Sequence, residues 1–232
     1  MKDKSINYVF DVDGTLTPSR QPIDPDFGKW FLEWCQTKYV FIISGSDHEQ
    51  IREQLGVDIF NTVDGVFGCN GNTLHYKDNL IYQHNFELTV RQREYIENLL
   101  EKNRYPIRTG NHIEERTGMV NFSIVGRNAT YEERQDYIEY DRGSNDRHNM
   151  ARKVMLRYPE LEAQLGGETG IDIFPKGKNK SQVCKRLDPF IFFGDKVELG
   201  GNDHAIARLA RTLHTVKSWE NTRDMLLQHY NY

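Results

Sequence analysis

Cysteine is scarce in this chain: three in 232 residues, at positions 35, 69 and 184. No two of them form a Cys-x-x-Cys pair, so a zinc site has no anchor and a disulfide framework lacks an even count. A sparse, odd set predicts small buried hydrophobes in a reducing compartment. Long apolar runs are also missing. No stretch approaches about 18 consecutive apolar residues, so no membrane span is predicted, and the opening Met1-Lys-Asp-Lys-Ser5 has no apolar signal core. Nor does charge of one sign dominate. Thirty basic and 34 acidic residues leave a net charge of −4, which does not favour nucleic acid as a partner. Repeats and low-complexity linkers are absent. Hydrophobic residues at 38% and charged residues at 28% predict a packed globular protein, long enough for one large or two small domains.

What is present starts at Tyr8-Val-Phe-Asp11-Val-Asp13-Gly14-Thr15-Leu16-Thr17. A short β-branched and aromatic strand runs into two carboxylates, two residues apart, and then a glycine turn. Alternate residues of a strand point the same way, so Asp11 and Asp13 are predicted to share one side at the strand's C-terminal end. Open α/β sheets bind ligands at that end. One carboxylate can attack a phosphoryl group while the other handles a proton. The plain alternative is an Asp-Gly hairpin turn after an edge strand.

The first 80 residues alternate strand and helix signals. Strands are predicted at 6–11, at Tyr39–Ile43 and at Gly65–Cys69, with a helix from Asp26 to Lys38 and another opened by Ser46 or Asp47. Thr73–Tyr76 and Leu80–Tyr82 read as a hairpin. This order implies a doubly wound parallel sheet. The middle differs. A helix from Val90 to Lys102 precedes an alternating stretch, Ile113 to Val125, and then a charge-rich helical region from Tyr131 to about Gln164, broken near Gly143-Ser144. That reads as an α+β insert. The parallel pattern resumes with the strand Phe190–Phe193, a helix from His204 to Leu213, the segment His214–Val216 and a last helix, Thr222 to His229. The domains follow: a core at 1–82 and 176–232, and an insert at 83–175.

Four elements converge on one predicted site. They are Asp11-x-Asp13; Ser44, which ends an apolar strand and offers a hydroxyl and helix N-terminal amides to a phosphate; a lysine from Lys176-Gly-Lys178-Asn-Lys180, to neutralise phosphate charge; and Gly194-Asp195 with Gly200-Gly-Asn-Asp203 after another apolar strand. Asp195 with Asp11 offers hard oxygen ligands of the kind Mg²⁺ takes. Singly, each element has a plain reading: a helix cap, a solvated loop, a turn. Together they sit at strand ends of one inferred sheet.

Here the residues resemble a known family. The pattern is similar to the haloacid-dehalogenase-like (HAD-like) phosphotransferases, and more closely to the eukaryotic phosphomannomutases. The resemblance is carried by Phe10-Asp-Val-Asp-Gly-Thr-Leu-Thr-Pro-Ser-Arg20-Gln21, Gly45-Ser-Asp, Glu53-Gln-Leu-Gly56, Asn70-Gly71, Ile113-Glu-x-Arg116-x-Gly-Met119, Ile124-x-Gly-Arg127, Glu132-Glu-Arg134, Asp172-Ile-Phe-Pro175 and Phe192-Phe-Gly-Asp-Lys-x-x-x-Gly-Gly-Asn-Asp-His204. These run in family order over nearly the whole chain.

The resemblance implies an α/β fold with a HAD-like, doubly wound (Rossmannoid) core and an inserted α+β cap that closes over a sugar. It implies a phosphomannomutase reaction feeding GDP-mannose synthesis in the cytoplasm, with an aspartyl-phosphate at Asp11 and a hexose 1,6-bisphosphate as intermediate and activator. Asp13 would be the general acid/base and lend its backbone carbonyl to Mg²⁺. Lys180 would stabilise phosphate, Asp195 would hold Mg²⁺, and Asp203 would hold the metal or orient Lys180. Arg116, Arg127 and Arg134 match cap arginines that bind phosphate, Arg20 matches a core arginine, and Asp172 matches an acid that contacts sugar hydroxyls. A homodimer through the cap is implied, with no nucleic-acid or membrane partner.

Several positions depart from the family pattern. Ser44 stands where these mutases commonly have glycine, and Gly170 where a sugar-contacting serine is expected. Thr117 and Asn179 replace an asparagine and an aspartate. Ala207 and Leu209 fall where a second, structural cation site would be, with only Thr212 matching. The alternative reading is a Mg²⁺-dependent sugar-phosphate phosphatase of the same superfamily; a sugar-phosphate-binding protein without catalysis is a third.

Overall fold

The computed structural model describes residues 3–230. It divides into two compact units. One comprises the residues up to Gln83 together with those from Asn179 onward, and the other is His84–Lys178.

The first unit opens with β1 (Asp3–Phe10), α1 (Pro25–Cys35), β2 (Lys38–Ile43), α2 (His48–Leu55), α3 (Val57–Thr62), β3 (Gly65–Gly68), β4 (Thr73–Tyr76) and β5 (Asn79–Gln83). The second unit carries α4 (Val90–Glu101), β6 (Ile113–Arg116), β7 (Met119–Ser123), α5 (Tyr131–Ser144), α6 (Asp146–Arg157), β8 (Leu161–Gly166) and β9 (Gly170–Pro175). The chain then returns to the first unit with α7 (Cys184–Leu187), β10 (Phe190–Gly194), α8 (His204–Ala207), β11 (Thr212–Thr215) and α9 (Trp219–His229).

The first unit's seven-stranded sheet runs β11-β10-β1-β2-β3-β4-β5. Its strands are parallel from β11 to β3, and the β4–β5 hairpin closes one edge antiparallel. Both faces are covered. Strand alternation sends Tyr8 and Phe10 of β1 and Ile191 and Phe193 of β10 into one apolar cluster, while Val9, Phe190 and Phe192 enter the opposite one. This is why these strands read as continuous apolar runs rather than alternating ones. Helix α1 seals the first face through Phe27, Phe31, Trp34 and Cys35, spaced for one helical side. Its start is set by Asp24, whose carboxylate accepts from the amides of Asp26 and Phe27, with Pro25 in the first turn. The chain leaves β1 for β2 and β3 on one side and later returns to β10 on the other. The C-terminal end of β1 is therefore the topological switch point, where the loops after neighbouring strands part and leave a crevice.

The second unit's sheet runs β6-β7-β9-β8, antiparallel throughout. One face is apolar: Phe122, Ile171, Ile173, Leu161 and Ala163 pack with Ile96 of α4, Tyr137 of α5 and Met150 and Val154 of α6. The other face carries a polar row, because Glu114 pairs in register with Asn121, Asn121 with Asp172, and Asp172 with Gln164. Capping boxes at Thr89/Gln92 and Thr130/Glu133 fix the starts of α4 and α5.

Three sequence expectations need correction. The helical region predicted to reach Gln164 ends at Arg157, and Leu161–Gly166 is a strand, since Leu161 and Ala163 point into the core two residues apart. The helix predicted over His204–Leu213 stops at Ala207; Thr212 and Leu213 belong to β11, which pairs with β10. The second boundary between units also lies slightly later than 175/176. Lys176 N donates to Glu160 O at 2.8 Å and Gly177 N to Glu162 Oε2 at 2.9 Å, tying 176–178 to β8. Strand β9 went unread.

Gly126 closes the turn between β7 and α5 with φ +95°, and a Cβ there would lie 2.0 Å from the Thr109 carbonyl oxygen. Gly126→Ala is expected to destabilise the second unit by about 2–4 kcal/mol, through left-handed strain and a backbone clash that no rotamer relieves. Thermal denaturation measures it; a loss within about 0.5 kcal/mol would show that the turn relaxes.

Candidate active site

Asp11 follows β1 directly, is buried, and its amide donates to Phe193 O at 3.0 Å, so β10 fixes its backbone. Its Oδ1 accepts from Lys180 Nζ at 2.5 Å, and the same ammonium donates to Asp203 Oδ1 at 2.8 Å. Lys180 is fully buried. It opens a short 3₁₀ turn, Lys180–Val183, capped by Asn179, whose Oδ1 accepts from the Ser181 amide and hydroxyl. Asn179 thus has a local task, orienting the turn that aims the lysine.

Asp195 completes the cluster. Ligand oxygens of Asp11, Asp195 and Asp203 lie within 4.8 Å of one another. The backbone yields to them: a Cβ on Gly14 would meet Asp195 Oδ2 at 2.5 Å, and one on Gly194 would meet Asp203 Oδ2 at 2.6 Å. Glycine at both places lets the loops after β1 and β10 approach. Burial is the largest influence on Asp11, Lys180 and Asp195. It drives the Asp11 carboxyl up to about 8, with Asp203 and Asp195 adding to the rise and Lys180 opposing it. Asp195 is also raised. Lys180 is held in its charged form by its two carboxylates, against the pull of burial. One ammonium faces three acids, so the cluster has cation-binding character left over. Asp203 Oδ2 is buried without a hydrogen-bond partner. An orphaned buried carboxylate oxygen among oxygen donors fits a hard divalent cation such as Mg²⁺.

Asp13 has partners of its own. Strand β1 ends at Phe10, so strand alternation no longer governs residues 11–13. Asp13 Oδ1 accepts from the Arg20 amide at 2.6 Å and from Gln54 Nε2 at 3.0 Å, and its carboxylate is not part of the acidic cluster. Arg20 itself sits at φ 57°, with its side chain exposed. Gln54 also donates to Thr17 Oγ1 at 3.1 Å. Ser44 is buried after β2, and its hydroxyl accepts from the Ser46 amide at 3.1 Å. Asp47, not Ser46, caps α2.

The second unit holds a separate group. Arg116 donates through Nε to Glu114 Oε2 at 2.8 Å and also through Nη2. Arg127 Nε lies 3.2 Å from the same oxygen, and Arg116 Nη1 lies 4.0 Å from Asp172. Asp172 accepts from Asn121 Nδ2 at 2.7 Å, and burial raises its pKa against that bond and the two arginines. Arg134, on α5, makes its ion pair elsewhere, with Glu168 at 3.8 Å. Sequence reasoning gave no role to Glu114, Asn121 or Gln54. Two of them had a usable signal: Glu114 stands two residues from Arg116 on one strand, and Asn121 two from Met119, so both fall on the arginine's face.

Below about pH 4 the Asp11 carboxyl is protonated whether the chain is folded or not; its folded pKa of about 8 exceeds the ordinary carboxyl value of 3.8. The folded state therefore holds the extra proton between those values, and metal-free stability falls as pH rises through that window. A divalent ion must displace that proton. Mg²⁺ is thus expected to raise the Tm by more at pH 8 than at pH 6, measured by thermal shift at fixed ionic strength. Equal shifts at both pH values would show that the ion is not received by Asp11.

Among the described residues no helix is long and apolar enough to cross a membrane. Structural relatives share the fold. A HAD subclass IIB sugar phosphatase superposes with TM-score 0.62 at 15% identity, covering 97% of this chain and 98% of its own. The IMP-bound, N-terminally truncated IMP-nucleotidase of Plasmodium falciparum gives 0.62 at 15%, covering 96% and 67%. At such identities the likeness establishes the fold, a HAD-type core with an inserted cap. Sequence relatives are nearer. Phosphomannomutase of Triticum aestivum is 35% identical over 95% of this chain and 94% of its own, and that of Glycine max is 36% identical over 92% of each. The family model for eukaryotic phosphomannomutase matches residues 29–231. Full-length identity at this level and that match place the chain in the eukaryotic phosphomannomutase family.

Proposed function

We propose that this protein is a phosphomannomutase, interconverting mannose 1-phosphate and mannose 6-phosphate. The observation that carries the reading is Asp11: a carboxylate at the switch point of a parallel sheet, with one oxygen on a buried lysine and two further acids beside it. Family membership supplies the substrate.

In the proposed cycle, phospho-Asp11 meets a sugar monophosphate. Asp13 takes the proton of the sugar hydroxyl, whose oxygen forms a bond to phosphorus as the bond to Asp11 breaks. The product is a hexose 1,6-bisphosphate, which turns round. Asp11 then attacks the other phosphorus, and the departing sugar oxygen receives the proton back from Asp13. Lys180 keeps Asp11 oriented and neutralises charge on the moving phosphoryl group, while Asp203 holds Lys180. Asp11, Asp195, Asp203 and the backbone carbonyl of Asp13 would hold Mg²⁺, whose chemistry when bound is to offset and orient phosphoryl oxygen charge. Ser44 and the amides following it suit the transferring phosphate. Arg20, Arg116, Arg127 and Arg134 suit the non-transferring one, because guanidinium gives fixed, permanently charged recognition. Asp172 suits the sugar hydroxyls. A trace of hexose 1,6-bisphosphate would prime Asp11. The reading extends to the cytoplasm, where Cys35, Cys69 and Cys184, all buried and in no disulfide, are suited to reducing conditions, and to a homodimer through the second unit.

Phosphorus NMR of the protein with mannose 1-phosphate, Mg²⁺ and trace glucose 1,6-bisphosphate tests the reading. Conversion to mannose 6-phosphate with little free phosphate is expected. Free phosphate as the sole product would overturn the mutase in favour of a sugar-phosphate phosphatase. Asp11→Asn, which removes the nucleophile but keeps the shape, is expected to lower turnover by about 10³-fold or more.

A further inference from the structure

Two like charges meet on the polar face of the second unit's sheet. Arg116 comes from β6 and Arg127 from the turn beyond β7, directly after Gly126. Left alone, two guanidinium groups would repel and, on long flexible stems, spread over many rotamers. One carboxylate oxygen bridges them, and the Asp172 carboxylate adds its charge beside both. Glu114 Oε2 accepts from Arg116 Nε at 2.8 Å and from Arg116 Nη2, and it lies 3.2 Å from Arg127 Nε. It does what one oxygen of a bound phosphate would do, before any ligand arrives.

Stability does not account for this arrangement. The side chains are partly open to solvent, with Glu114 37% exposed, Arg116 27% and Arg127 20%. Ion pairs so exposed are screened and add little to folding. The consequence is orientation: the guanidinium pair is already gathered, so less freedom is lost when an anion binds. The neighbour Glu115 points the other way along the strand and pairs with Arg93, so the second glutamate is not a substitute.

We propose that Glu114 is a positioning residue that gathers Arg116 and Arg127 into one anion-binding unit for the phosphate of the sugar-phosphate substrate. This rests on the reading that those arginines bind that phosphate. Glu114 acts through the arginines and does not itself touch the substrate.

The test compares Glu114→Ala, Glu114→Gln, Arg127→Ala and the double variant Glu114→Ala/Arg127→Ala, with mannose 1-phosphate as substrate. Glu114→Ala is expected to raise KM about tenfold, more than it lowers kcat, with an unchanged Tm. Glu114→Gln keeps an acceptor oxygen and should recover most of the loss. The loss caused by Glu114→Ala should be smaller in the Arg127→Ala background than in the unaltered protein, since only Arg116 would remain for Glu114 to position. An unchanged or lower KM in Glu114→Ala overturns the proposal. Additive losses in the double variant also overturn it, by placing Glu114 on the substrate directly. If Arg127→Ala itself leaves KM unchanged, the phosphate-site reading fails first and this proposal with it.

Discussion

The ammonium of Lys180, fully buried between Asp11 and Asp203, is the constraint on which the first unit's chemistry depends. A buried charge is tolerated only when paired and hydrogen-bonded. Both partners here come from strand ends, Asp11 beyond β1 and Asp203 beyond β10, while the lysine arrives from a separate turn. Removing one member of such a set leaves the others uncompensated, a loss of about 3–5 kcal/mol in comparable buried pairs. The geometry around it follows. Gly14 and Gly194 have no side chain because an Asp195 or Asp203 oxygen occupies the place where a Cβ would be. Asn179 caps the lysine's turn. Gln182, two residues past the lysine, donates to Asn70 O at 2.8 Å and so ties the turn to the loop after β3.

The candidate groups in the two units differ in how their charges are matched. In the first, three carboxylates outnumber one lysine and suit a cation. In the second, two arginines, Arg116 and Arg127, are matched by two acids, Glu114 and Asp172. Under the proposed reaction, the first group would offset charge on the moving phosphoryl group, and the arginines would receive an anion that is not consumed. Asp13 occupies a third environment. Its Oδ1 is fastened by the Arg20 amide and Gln54, and it is not one of the three clustered carboxylates. Two neighbouring carboxylates thereby take different surroundings, the condition for different roles.

How much of this was legible depended on what each residue answers to. The parallel strands and the order of the site loops could be read because β1, β2 and β10 are buried on both faces, and such burial writes itself as an apolar run. Asp11, Lys180 and Asp195 could be read as a set because phosphate chemistry restricts residue types at strand ends. The partners of Asp13 could not, since the Arg20 amide and Gln54 reach it from segments outside β1. Strand β8 was hidden because Leu161 and Ala163 are too few to distinguish period two from period 3.6 after a long helical stretch. Helix α8 was read too long because the segment Arg208–Arg211 has helical composition, yet β11 takes the next residues by pairing with β10. For Glu114 and Asn121 spacing showed the shared face at most; their cross-strand register with Asp172 is contained in no single segment.

That register also gives Gly170 a reason. On β9 it shares the polar face with Asp172, and a Cβ there would lie 2.5 Å from Asn121 Nδ2 and 2.8 Å from Gly166 O. The volume a serine would use is already occupied by the asparagine that holds Asp172. Gly166 is constrained in turn, since a Cβ on it would meet the Asp172 carboxylate at 2.5 Å. Small residues on both sides let Asn121 and Asp172 form their bond in a space with no slack, as close packing demands. A side chain at 170 would first have to turn Asn121 away, and Asp172 would then lose the hydrogen bond that favours its charged form. On this face, therefore, the Asn121–Asp172 pair lies beside the two arginines, and the absence of a side chain at 170 is the geometric condition for that pair to exist.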